Sequence, residues 1–172
     1  SVLASDYTVG ALFLDRARAL GDRTLFLLPP DRKEGRVSWA QAERRVLEIG
    51  RALLALRAQA EVDAGHPIAL LGANSPELAL FDLACLVTGT ANVPIPASST
   101  PGQIAEIVAL SAPGAVFLGD VQSRAAWAAA SARASRVHWL SESFEPDEDV
   151  ASFRSFLDLG DSCTDDEVRN AA

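Results

Sequence analysis

The sequence predicts an α/β fold: a mostly parallel sheet flanked by helices, with a β-hairpin near the N-terminus. Three observations predict it. Short apolar runs bounded by glycine or proline recur along the chain, the pattern of strands buried on both faces. Stretches with helical spacing separate these runs, and two open on the start signals Ser75-Pro76 and Thr100-Pro101. The connections are short, as right-handed crossovers between parallel strands require.

The elements follow in order. Thr8 to Leu20 is a first helix, with Val9, Leu12, Phe13, Arg16 and Leu20 at helical spacing. Thr24–Leu28 and Val37–Trp39 are two short strands joined through the polar turn Asp31–Arg36, hence the hairpin. Ser38 with Gln41 three residues on forms a capping box. It opens a long helix with Ala42, Val46, Ile49, Leu53 and Leu56 inside, and Glu43, Arg44, Arg45, Glu48, Arg51 and Arg57 on the solvated face. Pro67–Leu71 is a fully buried strand, and the helix from Leu78 to Thr88 is apolar almost all round, ending at Gly89. Ala91–Ile95 is the next strand, stopped by its prolines. A helix after Thr100 presents Ile104, Ile107, Val108 and Ser111 on one side. Ala115–Leu118, the alanine-rich helix Gln122–Ala134 and the strand Val137–Leu140 complete the alternation, which is Rossmann-like in its layering. Phe153, Phe156, Leu157 and Leu159 make one more short element, and Asp161–Ala172 is expected to fray.

Composition narrows the functional classes. At 172 residues, 49% hydrophobic and 22% charged, the chain can bury one sizeable core. No apolar run approaches the roughly 20 residues that span a bilayer, and no signal-peptide pattern opens the chain, so no transmembrane segment and a cytoplasmic location are expected. The chain contains no Met, which suggests a processed or excised product. The net charge is −8, and its distribution is uneven. Residues 1–141 hold 13 acidic and 13 basic side chains, whereas residues 142–172 hold 10 acidic and 2 basic. A neutral body has no electrostatic footprint for nucleic acid, so that partner is excluded. The division expected is an α/β subdomain over 1–141 and an acidic, partly ordered linker over 142–172.

Catalytic constellations are missing. Neither glycine-rich phosphate cradle occurs, and there is no GxSxG elbow. His66 and His138 stand apart from metal-ligand spacings and read as loop or surface residues. Cys85 reads as a small buried hydrophobe, and with Cys163 it makes neither a disulfide framework nor a zinc spacing. The carboxylates Glu145, Asp147, Glu148 and Asp149, and then Asp165, Asp166 and Glu167, read as a solvated acidic stretch without EF-hand spacing. The single lysine, Lys33, lies in the polar turn and is unsuited to positioned phosphate chemistry. The expected catalytic, cofactor-binding and metal residues in this stretch are therefore none.

The order of segments resembles the N-terminal subdomain of the AMP-forming acyl-CoA synthetases, in the adenylate-forming superfamily, with the long-chain fatty acid type nearest. Val37-Ser38-Trp39-Ala40-Gln41-Ala42 is similar to the family's early helix start, with Gln41 where Glu is common. Gly65-His66-Pro67-Ile68-Ala69-Leu70 is similar to its first buried strand, with His66-Pro67 replacing an Asp and a basic residue. Asn74-Ser75-Pro76-Glu77-Leu78, then Leu83-Ala84 through Gly89, Val93, Pro94 and Ile95, follow the family's helix and strand. Ser99-Thr100-Pro101-Gly102-Gln103-Ile104 matches a helix start of the long-chain branch, although Ala97 departs from it, and Ala115–Asp120 matches the strand after it. The resemblance implies a parent that joins a fatty acid to CoA through an acyl-adenylate, using ATP and Mg²⁺. The phosphate loop and catalytic lysine would lie in the remaining domains of the same enzyme, and the 172-residue chain alone would be inactive. Two rivals stand beside it: a fatty acyl-AMP ligase or loading domain that passes the acyl group to a carrier protein, and a stand-alone α/β binding domain. The all-round apolar helix Leu78–Val87 adds possible self-association, testable by light scattering.

Overall fold

A computed structural model of the protein describes residues 8–28, 30, 35–59, 66–134 and 136–172. Lys33, Gly65 and most of the expected hairpin turn lie outside these residues. Helix α1 (Val9–Leu20) opens on Thr8, whose hydroxyl accepts the Ala11 amide, and ends at Gly21, where φ is 48°. Strands β1 (Thr24–Leu27) and β2 (Arg36–Ser38) pair antiparallel as the hairpin. Trp39, expected to end the strand, is instead the first residue of α2 (Trp39–Ala58). The reason is the capping box: Ser38 already caps the helix, its hydroxyl accepting the Gln41 amide while Gln41 Oε1 accepts the Ser38 amide at 2.8 Å.

The main sheet comes from four strands in parallel: β3 (Ile68–Gly72), β4 (Asn92–Pro96), β5 (Ala115–Leu118) and β6 (Arg136–Trp139), in the order β4-β3-β5-β6. Helices α3 (Pro76–Thr88), α4 (Pro101–Ser111) and α5 (Val121–Ala130) connect them. Pro94 and Pro96 do not stop β4 as expected; both lie inside it, opposite Leu70 and Gly72. A proline lacks the ladder N–H, and β4 stands at the sheet's edge, where that loss is tolerated and blunts pairing with another chain. Helix α5 ends at Ala130, four residues before the expectation, because Ser131 adopts the left-handed φ of 50°.

Strand alternation assigns the two faces. Ile68, Leu70, Ala115 and Phe117 point toward α1, α2 and α3, while Ala69, Leu71, Val116 and Leu118 point toward α4 and α5. Helix α3 is enclosed as its composition demands. The sheet and α2 cover one side, and α1 crosses so closely that a Cβ on Gly10 would sit 2.7 Å from Val87 Cα. Leu86 remains 43% exposed.

The largest difference from expectation lies after Asp161. That stretch does not fray. Helix α6 (Phe153–Asp158), a 3-10 turn (Leu159–Ser162) and α7 (Asp165–Ala171) pack across α2. Phe153, Phe156, Leu157 and Val168 are buried there, in one core with Leu53 and Phe81. The charged face of α2 is consequently a docking face. Arg45 pairs with Glu142 at 2.8 Å and its guanidinium lies 5.2 Å from the Phe153 ring centroid; Arg51 pairs with Asp165 at 2.5 Å, and Glu43 with Arg169 at 2.6 Å. Two glycines permit the approach. A Cβ on Gly50 would meet Val168 Cγ1 at 2.7 Å, and one on Gly160 would meet the Ala52 nitrogen at 2.7 Å.

Gly160→Ala is expected to cost about 1–3 kcal/mol, because backbone on both sides must shift. Gly102→Ala, where a Cβ meets nothing within 4 Å, is expected to be neutral or to stabilise by about 0.4–1 kcal/mol through the unfolded state. Urea unfolding of the two variants beside the parent chain measures both.

Candidate functional site

The strand order places a topological switch point at β3 and β5. After β3 the chain turns to α3 on one face, and after β5 it turns to α5 on the other. Open α/β sheets hold ligands where the connections diverge in this way, outside the carboxyl ends of the strands. Here both strands run into glycine, and the two glycines touch. A Cβ on Gly72 would stand 3.1 Å from Gly119 Cα, and one on Gly119 would stand 3.2 Å from Gly72 Cα. The Gly119 amide donates to Leu71 O at 2.8 Å, and the Leu140 amide to Leu118 O at 2.9 Å, so the ladder continues past the last strand residues.

Asp120 organises the floor of this crevice. It caps α5, with Oδ1 accepting the Ser123 amide at 2.7 Å, and Oδ2 reaches the Ala73 amide at the end of β3 at 3.5 Å. Burial pushes its carboxyl up, but hydrogen bonds from Ser123 and from the amides of Ala73 and Gln122 outweigh that and hold it below the usual carboxylate value. The carboxylate is therefore ionised at neutral pH.

Above the floor lies a cavity of about 130 Å³ lined by Ser75, Glu77, Gly119, Leu140, Ser141, Ser143 and Phe144. The Ser75 hydroxyl accepts the Leu78 amide at 3.1 Å as the cap of α3. Ser141 Oγ donates to Ser143 Oγ at 3.1 Å and accepts the Ser143 amide at 3.2 Å. The outer wall is held by Trp139, which stacks on Phe144 at 4.7 Å and donates from Nε1 to Glu145 O at 2.9 Å. The lining is three serines, one carboxylate (Glu77) and apolar side chains, and its volume is below the roughly 300–1,000 Å³ of a small-molecule site. It suits a small polar group or the tip of a loop. Neither histidine lines it.

The histidines confirm that separation. His66 is exposed at the opposite, amino end of β3, where Nδ1 lies 2.7 Å from Ala112 O. His138, expected in a loop or at the surface, is buried in the aromatic core and stacks on Phe117 at 5.3 Å. The alternation explains the correction: Val137 and Trp139 face α4 and α5, so His138 between them must face the other core. Cys85 is buried as expected, and burial pushes its thiol up to about 12. The acidic residues beyond 141 do not converge on one point. Asp147 and Asp149 both bind Arg124, at 3.1 and 3.0 Å, Glu142 binds Arg45, and Asp165 binds Arg51. Among the described residues no group of three or more His, Cys, Asp or Glu is placed to hold a metal ion. What the sequence reading missed is the Gly72–Gly119 contact and the tie from Asp120 to Ala73. Its signal was present as a glycine directly after each of two buried strands.

A family model described as AMP-binding enzyme matches residues 13–165. No curated protein matches the chain by sequence. Solved structures do match. A Rhodopseudomonas palustris protein assigned as a long-chain-fatty-acid CoA ligase superimposes with a TM-score of 0.72 at 20% identity, covering 88% of this chain and 36% of its own. A Mycobacterium tuberculosis fatty acyl CoA synthetase gives 0.67 at 21%, covering 93% of this chain and 29% of its own. An artificially fused adenylation–PCP di-domain, NpsA-ThdA, from Klebsiella oxytoca gives 0.61 at 17%, covering 89% and 24%. The chain thus spans about a quarter to a third of these proteins, and at such identities the likeness is one of fold.

Asp120→Ala is expected to lower stability by about 1 kcal/mol at neutral pH through loss of the α5 cap. Because the folded carboxyl titrates below its ordinary value, that contribution is complete above the ordinary value and disappears as pH falls through the folded one. Urea unfolding of both chains at neutral pH and at successively lower pH should show their difference shrinking with acidification.

Proposed function

The chain belongs to the AMP-binding enzyme family, and on that premise we propose that it is the N-terminal subdomain of an adenylate-forming ligase that activates a fatty acid, long-chain in type, and transfers it to CoA. The observation that carries this reading is the family match across residues 13–165 in a chain about a third the length of the ligase it superimposes on. In the parent reaction a carboxylate oxygen of the acid attacks the α-phosphorus of ATP and pyrophosphate leaves. The CoA thiolate then attacks the acyl carbonyl of the adenylate, and AMP leaves with the electron pair of the broken bond. On this reading residues 8–172 supply no catalytic group. Their part is to hold a rigid sheet whose carboxyl edge, with the small crevice over Gly72, Gly119 and Asp120, receives the tip of a loop from the remaining domains.

Mg²⁺ is implied by the family, but the described residues do not fit it: no three His, Cys, Asp or Glu side chains gather among them, and Glu142, Asp165 and Asp147 are held by Arg45, Arg51 and Arg124. No step is assigned to the ion on this chain. ATP, Mg²⁺ and CoA are taken up by the remainder of the enzyme, and residues 142–172 lead toward it. A cytoplasmic location is part of the same proposal. Separately, among the described residues no helix is long and apolar enough to cross a membrane.

The test has two arms. The 172-residue chain, incubated with ATP, labelled pyrophosphate and fatty acids of several lengths, is expected to show no exchange above a heat-killed control, and measurable exchange would refute its inactivity. The coding sequence beyond Ala172 is expected to continue into a Ser/Thr/Gly-rich loop ending in Lys. The longer protein made from it should release AMP in a reaction that needs both fatty acid and CoA. Transfer to a carrier protein with no response to CoA would replace CoA as the acceptor.

A further inference from the structure

His138 stands where the C-terminal segment joins the sheet. It lies on the edge strand β6 and is 6% exposed. Its ring stacks on Phe117 of β5 at 5.3 Å and 18°, and meets Phe156 of α6 at 5.9 Å. Its backbone marks the same junction. Ala151 forms an isolated parallel bridge to it, the Trp139 amide donating to Ala151 O at 3.0 Å and the Ala151 amide to Val137 O at 2.9 Å. One residue therefore carries both the last strand-like contact and the aromatic seat of α6.

The seat is built for a neutral ring. Neither imidazole nitrogen has a hydrogen bond of good geometry, and the nearby Ser152 backbone opposes the effect of burial only in part. The charged groups around it give a proton no counter-charge. Phe117 is the face presented by β5, and Phe81 of α3 packs on Phe117 in turn. On α6, Arg154 and Asp158 pair with each other at 2.9 Å. In the preceding loop Glu142 is held by Arg45 of α2, and Asp147 and Asp149 by Arg124 of α5. Arg136, on the same strand, adds a positive field. A buried cation in this place loses its hydration and gains at most the Ser152 backbone, which offsets that loss only in part, and aromatic faces do not replace that shell.

We propose that His138 is a proton-operated latch for residues 150–171: the neutral ring seats the segment on the sheet, and protonation releases it. Release uncovers the apolar face around Phe81, Phe117 and Gly50 that Phe153, Phe156 and Val168 otherwise close. The direction follows from linkage. The docked imidazole titrates below the ordinary histidine value, so the released state binds more protons. Docking is at full strength above that ordinary value and weakens as pH falls below it. One proton taken up on release raises the opening constant by up to roughly tenfold per pH unit in that window. Asp120, Asp147 and Glu167, whose carboxyls are held below their usual values, stay ionised there.

Amide hydrogen exchange of the 172-residue chain, compared at about pH 7.5 and about pH 5.5 after correction for intrinsic rates, tests this across the ordinary histidine value of about 6.5. Opening of residues 150–171 is expected to rise roughly tenfold while Ile68–Gly72 stays protected, and His138→Phe is expected to abolish the difference. Unchanged protection of the segment, simultaneous opening of β3, or the same acceleration in His138→Phe would each overturn the proposal. Should that variant not fold, His138→Leu is read in the same way. The wild-type imidazole followed by NMR decides independently of any substitution: proton uptake with residues 150–171 still protected would also overturn it.

Discussion

Phe117 joins three pieces of the chain that are far apart in sequence. Its ring lies 4.4 Å from Phe81 of α3, 4.8 Å from Phe156 of α6 and 5.3 Å from His138 of β6, and it is wholly buried. Each such pair contributes about 0.5–1.5 kcal/mol beyond the area it buries. The larger consequence is geometric. The sheet, the helix that covers it and the segment that closes the domain all meet on one side chain. Shifting β5 by a residue would turn Phe117 to the other face and remove all three contacts at once.

The C-terminal segment shows which kind of interaction decides the packing. Three arginine–carboxylate contacts tie the regions beyond 141 to α2, through Arg45, Arg51 and Glu43. Their side chains are roughly a fifth to a half exposed, and pairs of that kind contribute about 0–1 kcal/mol each. Burying Phe153, Phe156, Leu157 and Val168 contributes about 1.5–3 kcal/mol per side chain. The apolar residues therefore supply the affinity, and the ion pairs select the register in which they seat. Gly50 and Gly160 set how close the layers come, since a methyl group at either position would hold them apart.

The division between scaffold and chemistry follows from the same packing. The two central strands, β3 and β5, each serve both cores, so their side chains are committed to closure. What remains at the carboxyl edge is backbone, the caps Ser75 and Asp120 of α3 and α5, the hydroxyls of Ser141 and Ser143, and Glu77. Such an edge orients a partner segment well. It has no histidine beside its serines, because His66 lies at the other end of β3 and His138 is enclosed.

The elements themselves were legible in the sequence because their signals are local. The box of Ser38 and Gln41, the caps Ser75 and Thr100 and the left-handed Gly89 act over three or four residues, and all appear where expected. The parallel sheet was legible because runs such as Ile-Ala-Leu-Leu admit no solvated face. Of the crevice, only the glycines ending two strands could be read, since their contact depends on the order β4-β3-β5-β6, which is set by crossovers and not by any one strand. The prolines of β4, the burial of His138 and the docking of α7 were decided by tertiary structure alone. The same charged stripe on α2 satisfies a solvated face and an ion-paired interface equally well, and the choice rests on apolar residues more than 90 positions away that only the folded chain brings to it.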